Sequence, residues 1–564
     1  MIRFDNVSFS YPRSSAPVLN QVNLEFATGE LALVIGPTGA GKSTLLKAVN
    51  GLVPHFTGGV LSGTVQIDGR STAANPPRRL AGLVGYVGQD PASGFVSDRV
   101  IDELAYTLEQ QGMAPATMRV RVEEVLDLLG IADLRDRDPG SLSAGQAQRV
   151  AIGAALAAHP RALVLDEPTS ALDPAAAEDV MAAISRLVDD LDLTVLIAEH
   201  RLERVIQFAD RIVRVDGDGS VSIDSPRHQL ATSPVAPPLV RLARALEWPE
   251  VPLTVREARR LARASQLTPR SSSPVPPATP AAPAVPAVQV GQADRAEQTG
   301  QGRQRRQPDQ TDPTDQADDA VRASGSVVFK SDSIRVTHPG PIEAVKGVSV
   351  ELRGGHITGL MGRNGAGKTS LLWALAQGKR GQPRPDLVMV PAQPTDLFWA
   401  DSVARELPGP TAADLLDRLA PGIARSAHPR DLSEGQRLAL ALAIQLTART
   451  HVVILDEPTR GLDYTAKDRL ATLLRSLADE GRAVLVATHD VEFLALAADS
   501  IMWMAEGEIV GSGPAAEFLM SVPAHAPQIA KVMAPQPYLT VDAALASWPT
   551  AHGDGAPERA GAKP

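Results

Sequence analysis

Short, continuous apolar runs recur at matching places in the two halves of the chain. The first half has "LALVI" (Leu31–Ile35), "ALVLD" (Ala162–Asp166) and "TVLIA" (Thr194–Ala198); the second has "HITGLM" (His356–Met361), "VVILD" (Val452–Asp456) and "AVLVA" (Ala483–Ala487). Continuous rather than alternating apolar residues, each followed by a segment of helical pattern, predict strands buried on both faces of a parallel sheet. The expected class is α/β. No apolar run approaches the ~18 residues that a membrane-crossing helix needs. The opening "MIRFDNVSFSYP" lacks the basic-then-apolar pattern of a signal peptide.

Longer phrases also answer one another, always in the same order. "LSAGQAQRVAIGAAL" (Leu142–Leu156) matches "LSEGQRLALALAI" (Leu432–Ile444), and "ALVLDEPTSALD" matches "VVILDEPTRGLD". "TVLIAEHRLE" matches "AVLVATHDVE", and the tails Ala236–Ala258 and Ala526–Ala544 match as well. A duplicated domain is implied, not a solenoid of short period. Thr268–Gly325 differs in kind, being rich in Pro and Ala and then in Gln, Asp and Arg. With few large apolar residues it cannot offset chain entropy by burial, so a disordered tether spanning roughly 40 Å is expected. The expected domains are 1–230, an extension at 231–267, the linker at 268–325, a second domain at 326–520, and an extension with tail at 521–564.

Composition narrows the class. A chain of 564 residues exceeds one core, and 44% hydrophobic with 21% charged residues is ordinary for a globular protein. The absence of cysteine excludes disulfides, thiolate zinc sites and iron–sulfur clusters, and suits a reducing cytoplasm. A net charge of −10 argues against a broad nucleic-acid footprint.

The chemistry lies in four paired motifs. "GPTGAGKST" comprises Gly36, Pro37, Thr38, Gly39, Ala40, Gly41, Lys42, Ser43 and Thr44. "GRNGAGKTS" comprises Gly362, Arg363, Asn364, Gly365, Ala366, Gly367, Lys368, Thr369 and Ser370. Each follows a predicted buried strand and opens a helix, the context that identifies a phosphate-binding P-loop. Lys42 and Lys368 supply charge to the β- and γ-phosphates, and Ser43 and Thr369 a hydroxyl to Mg²⁺. Asp166 and Asp456 end apolar strands, where a carboxylate is costly unless it serves a charge such as Mg²⁺. Glu167 and Glu457 follow, placed to polarise an attacking water. His200 and His489 end the next strand, within expected reach of the γ-phosphate. Ser143 and Ser433, read alone, are helix caps.

Taken together, these motifs resemble the ATP-binding cassette (ABC) family, over nearly all of the chain outside the tether. The resemblance implies two P-loop ATPase domains, each a mainly parallel sheet with a helical signature subdomain. In that family the signature Ser and Gly bind the γ-phosphate held by the opposite domain. Site one would then join Lys42, Asp166, Glu167 and His200 to Ser433 and Gly435. Site two would join Lys368, Asp456, Glu457 and His489 to Ser143 and Gly145. Gln89 and Gln393 take the Q-loop position, beside both phosphate and Mg²⁺. Tyr11 fits the adenine-stacking aromatic. His338 stands in its place in the second copy, which also lacks the "SGTVQIDG" (Ser62–Gly69) phrase; a weaker second nucleotide pocket is expected. Both sites retain their Glu and His, so both are expected to hydrolyse ATP.

Three kinds of cassette ATPase compete for this pattern. Soluble translation or repair factors acting on ribosomes or nucleic acid usually carry a charged helical arm and Asn-His after "DEPT", and tandem sugar-importer ATPases usually carry a degenerate site. "VGQDPASGFVSDRVIDELAYTLEQQGM" (Val87–Met113), "AEHRLERV" and the "LTVREA" and "LTVDAA" tails are similar to fused two-cassette ATPases of energy-coupling factor (ECF) importers. That resemblance implies a peripheral subunit on the cytoplasmic face of the cell membrane. Its partners would be an ECF transmembrane coupling subunit and a separate substrate-capture membrane subunit, with no nucleic acid.

Overall fold

The computed structural model describes residues 1–12, 16–170, 172–265, 325–338, 343–377, 382, 384–448 and 450–547. The proposed tether, apart from Gly325, and the last residues of the tail lie outside them. Every apolar run expected to be a strand is one. In the first half, Val84–Val87, Ala162–Asp166, Thr194–Ala198, Leu31–Ile35 and Arg211–Val215 lie side by side in parallel, and Val221–Asp224 closes the sheet antiparallel. Leu31–Ile35, Ala162–Asp166 and Thr194–Ala198 are buried at every residue, which is why they read as continuous apolar runs. The second half repeats the order with Leu387–Val390, Val452–Asp456, Ala483–Ala487, Ile357–Met361, Ser500–Ala505 and Glu508–Pro514. The chain is α/β twice over.

A smaller antiparallel sheet flanks each main sheet, and here the halves diverge. In the first half Ile2–Ser10 lies between Leu19–Phe26 and Val60–Ile67, with Arg70–Ser71 at the edge. Among the described residues of the second half only Val327–Thr337 and Glu343–Arg353 pair. Among the described residues, then, no strand of the second half answers to Val60–Ile67, which carries most of the "SGTVQIDG" phrase, and its small sheet is the narrower one.

Helices Ala144–Ala157 and Glu434–Gln445 follow the signature serines. After each main sheet the chain adds paired helices: Pro238–Ala245 and Val255–Ala264 in the first half, Gln528–Met533 and Val541–Ala546 in the second. These matching tails pack on one another. Arg259 Nε donates to Lys531 O at 2.7 Å, and Leu239 N to Gln528 Oε1 at 3.4 Å. Both halves therefore belong to one compact unit. Among the described residues no helix is long and apolar enough to cross a membrane.

Candidate ATP sites

Strands Leu31–Ile35 and Ile357–Met361 run directly into the two glycine loops, and helices Lys42–Val49 and Lys368–Ala376 leave them. The residues that cap those helices, Gly41 and Gly367, have φ of 107° and 101°. A Cβ there would stand 2.7 Å from Val18 Cγ1 or 2.2 Å from Ala344 O, so glycine is obligatory on both counts. Lys42 Nζ curls back to donate to Gly36 O at 2.9 Å and Pro37 O at 3.0 Å. Lys368 Nζ does the same to Gly362 O at 2.8 Å and Arg363 O at 3.2 Å. Both ammonium groups are buried at the positive end of a helix, a place suited to an anion. Burial pulls Lys42 below its ordinary pKa, against the opposing charges of Glu167, Asp463 and Asp166.

The two candidate adenine-side residues are placed alike. Tyr11 Oη lies 2.9 Å from Thr44 Oγ1, and His338 Nε2 lies 2.8 Å from Ser370 Oγ, at the matching residue of the loop. The Tyr11 ring is also braced edge-on by Phe9, with centroids 4.9 Å apart.

At the strand ends, Ser43 hydrogen-bonds Asp166, and Thr369 Oγ1 donates to Asp456 Oδ2 at 2.8 Å. Burial, reinforced by the neighbouring glutamates, pushes both aspartates up to about 6. Glu167 and Glu457 then turn with φ of 55° and 47°, a region that non-glycine residues rarely occupy. Each is pinned there by its own N–H, which donates to Ala198 O at 2.9 Å and to Ala487 O at 2.8 Å. Gln89 Nε2 donates to Glu167 Oε1, and His200 Nε2 sits 3.1 Å from the same oxygen, while Oε2 is buried without a partner. Glu457 faces His489 Nδ1 at 3.0 Å and accepts from Thr488 Oγ1 at 3.1 Å. No hydrogen bond joins Gln393 to it among the described residues.

The electrostatic settings of the two glutamates differ as well. Burial pushes Glu167 up; at Glu457 burial also opposes ionisation, but His489 and Lys368 outweigh it and bring the carboxyl down to about 2. Burial lowers His200 and His489, so at neutral pH a neutral ring donates to an ionised Glu457.

The halves meet face to face across site one. Thr38 N donates to Asp463 Oδ2 at 2.6 Å, and Thr38 Oγ1 to Gly461 O at 3.3 Å. A Cβ on Gly435 would stand 3.0 Å from Thr38 Cγ2, and one on Gly39 would stand 3.6 Å from Gln436 Nε2. The second half's signature segment thus lies against the first P-loop. Ser433 is also a helix cap, its Oγ accepting from Gln436 N at 3.3 Å, and Ser143 caps its own helix through Gln146 in the same way. At the mirror position, among the described residues, a Cβ on Gly145 would meet Leu172 of its own half, and one on Gly365 would meet nothing within 4 Å.

Several participants were not singled out by the motifs. Glu199, next to His200, is buried; it accepts from Thr169 N at 2.7 Å and is pushed up to about 7 by burial and by Glu167. Arg201 and Asp490, the residues after the two histidines, face each other across the interface at 3.6 Å, and Lys467 Nζ lies 2.7 Å from Asp490. Arg460 reaches from the second half to Gln89 of the first. Setting "AEHR" against "ATHD", and "TSAL" against "TRGL", marks these positions as the ones where the copies disagree.

A family model described as ABC transporter matches residues 19–170 and 345–460. A Streptomyces avermitilis protein named as an ABC transporter ATP-binding protein is 51% identical over 96% of this chain and 99% of its own. Its Streptomyces coelicolor counterpart is 49% identical over the same shares, and one from Methanosarcina mazei is 30% identical over 92% and 90%. A solved structure of cbiO1 from Clostridium perfringens, described as part of the ABC transporter complex cbiONQ, is 25% identical over 47% of this chain and 97% of its own, with a TM-score of 0.39. The chain belongs to the ABC transporter ATP-binding proteins: it is an ABC-type ATPase that carries two cassettes in one polypeptide.

Proposed function

We propose that this ATPase energises substrate uptake by an ECF-type importer, hydrolysing ATP at two sites, each completed by the opposite cassette. The observation that carries the reading is the double role of Gln89. Its side chain holds Glu167, while its segment, with Tyr86, Asp90, Pro91, Phe95 and Glu103, lines a surface cavity of about 510 Å³. A membrane partner seated there would act directly on the reacting centre. The resemblance of Val87–Met113 to ECF ATPases supports the choice of partner.

In site one Lys42 and the loop amides hold the phosphates, Glu167 polarises the attacking water, and His200 and Gln89 orient Glu167. Ser433 and Gly435 close the site from the other half. In site two Lys368, Glu457, His489, Gln393, Ser143 and Gly145 take these roles. Tyr11 and His338 face the base.

The residues present fit Mg²⁺. Ser43 on Asp166 and Thr369 on Asp456 offer hard oxygen donors, and Asp456 Oδ1 is buried without a partner. Among the described residues no cluster of three or more His, Asp or Glu forms a protein cage, as expected of an ion that shares its shell with phosphate and water. When bound, Mg²⁺ would neutralise charge on the transferred phosphoryl group.

The docking segments are built alike. Glu103 accepts from Val96 N and Ser97 N, and Glu406 from Trp399 N and Ala400 N, so both glutamates hold loops instead of facing a partner. The exposed tips are Val96 and Trp399, at 62% and 77%. Co-expression with ECF transmembrane subunits, followed by detergent pull-down, tests the proposal. Val96→Asp with Trp399→Asp should weaken capture and leave ATP binding intact. Association with ribosomes or DNA and never with a membrane protein would defeat the transporter reading.

A further inference from the structure

The cassettes differ at three positions that meet in space. The second half carries Glu434, Arg460 and Gly461 where the first carries Ala144, Ser170 and Ala171. Gly461 has φ of 67°, and a Cβ on it would stand 2.6 Å from Glu434 Cβ, so this close approach requires glycine at 461. Arg460 Nε lies 3.5 Å from Glu434 Oε2, and both atoms are buried without a hydrogen-bond partner. A lone carboxylate on the signature motif would repel a triphosphate. The first half avoids the problem with alanine, and the second answers it with arginine.

Arg460 does more than neutralise. Its Nη2 donates to Gln89 O of the first cassette at 3.4 Å, and the Gln89 side chain in turn donates to Glu167. With Asp90, Gln393, Glu434, Arg437 and Glu457, Arg460 lines a cavity of about 240 Å³ between the Q segments of the two halves. Among the described residues no equivalent runs in the other direction, since Ser170 is short and uncharged.

We propose that Arg460 is a positioning residue that acts across the cassette boundary: held by Glu434, it fixes the backbone of Gln89 and so the seat of Glu167, making hydrolysis at the first P-loop depend on the docking of the second half. The proposal rests on the reading of Glu167 as the residue that polarises water. Steady-state ATPase kinetics of the full chain test it with Arg460→Ser, with Arg460→Ser plus Glu434→Ala, and with Glu167→Gln plus Glu457→Gln alongside. The double variant installs residues that the first cassette already accommodates, and melting curves with fluorescent-nucleotide binding verify folding. Arg460→Ser should raise KM, because Glu434 is left unpaired, and lower kcat roughly tenfold, the worth of one charged hydrogen bond. In the double variant KM should return to the parent value while kcat stays down. A double variant with parental kcat would reduce Arg460 to charge compensation and overturn the proposal. Turnover that survives Glu167→Gln combined with Glu457→Gln would instead bring down the underlying reading. Loss in that pair together with none in the Arg460 variants would sink this inference alone.

Discussion

Glu199 and Thr488 occupy one place in the two halves, directly before His200 and His489, yet one is a carboxyl and the other a hydroxyl. Thr488 suits a buried site, donating to Glu457. Glu199 accepts from the Thr169 and His200 amides, but its buried charge opposes that of Glu167. Its ordinary pKa of 4.5 is pushed up to about 7 in the fold, so folding favours the protonated form. Such a group contributes stability that is fully present below about pH 4.5 and lost as pH rises through about 7. Glu199→Thr should therefore gain on the parent across that window, by up to about 3 kcal/mol, and run parallel to it outside. Denaturant unfolding at several pH values measures this; parallel curves throughout would show that Glu199 does not titrate there.

At the scale of elements, the interface is written at the starts of two short helical turns that correspond between the copies. Arg201 precedes Leu202–Val205, and Asp490 caps Val491–Ala497 by accepting from Phe493 N at 3.1 Å. The pseudo-symmetry of a cassette pair brings these equivalent residues together. Identical copies would set like charge on like charge there, whereas the divergent copies set Arg201 on Asp490, with Lys467 alongside. Lys467 and Arg201 hold Asp490 far below the usual carboxylate range against its burial. Asp490→Ala would strand two buried cations and should cost about 3–5 kcal/mol, while Asp490→Asn, which keeps the helix cap, should cost less. Urea midpoints decide it; a full loss in Asp490→Ala with none in Asp490→Asn would assign the effect to capping. This interface also shows what sequence could carry. Strands, P-loops and strand-end carboxylates were legible because each obeys a local rule: continuous apolar residues, glycine where a Cβ clashes, charge where a ligand must answer it. The Arg201–Asp490 and Arg460–Gln89 contacts join residues 289 and 371 positions apart, and no local period announces them. Their only trace was disagreement between repeats otherwise alike. Glu103 and Glu406 were legible as part of the docking segments, but their loop-holding role depends on backbone N–H groups that the sequence cannot place.

At the scale of the molecule, the proposed reading gives neither cassette a whole ATP site. Thr38 and Gly39 of the first P-loop lie against Gly461, Asp463 and Gln436 of the second half, and the extension helices of both halves are packed together. Closing one site therefore moves the body that supplies the wall of the other. Lys42 and Lys368 are each a buried cation within their own loop, and removing either takes away a charged phosphate contact worth roughly 1.5–3 kcal/mol. If the sites were independent, Lys42→Ala and Lys368→Ala would each remove one site's share and leave the remainder. With closure shared, each should abolish most steady-state turnover, although nucleotide still binds the intact loop. The measurement pairs ATPase rates with nucleotide stoichiometry for each single variant. Near-parental turnover in either would show that the cassettes close and fire separately, despite their common interface.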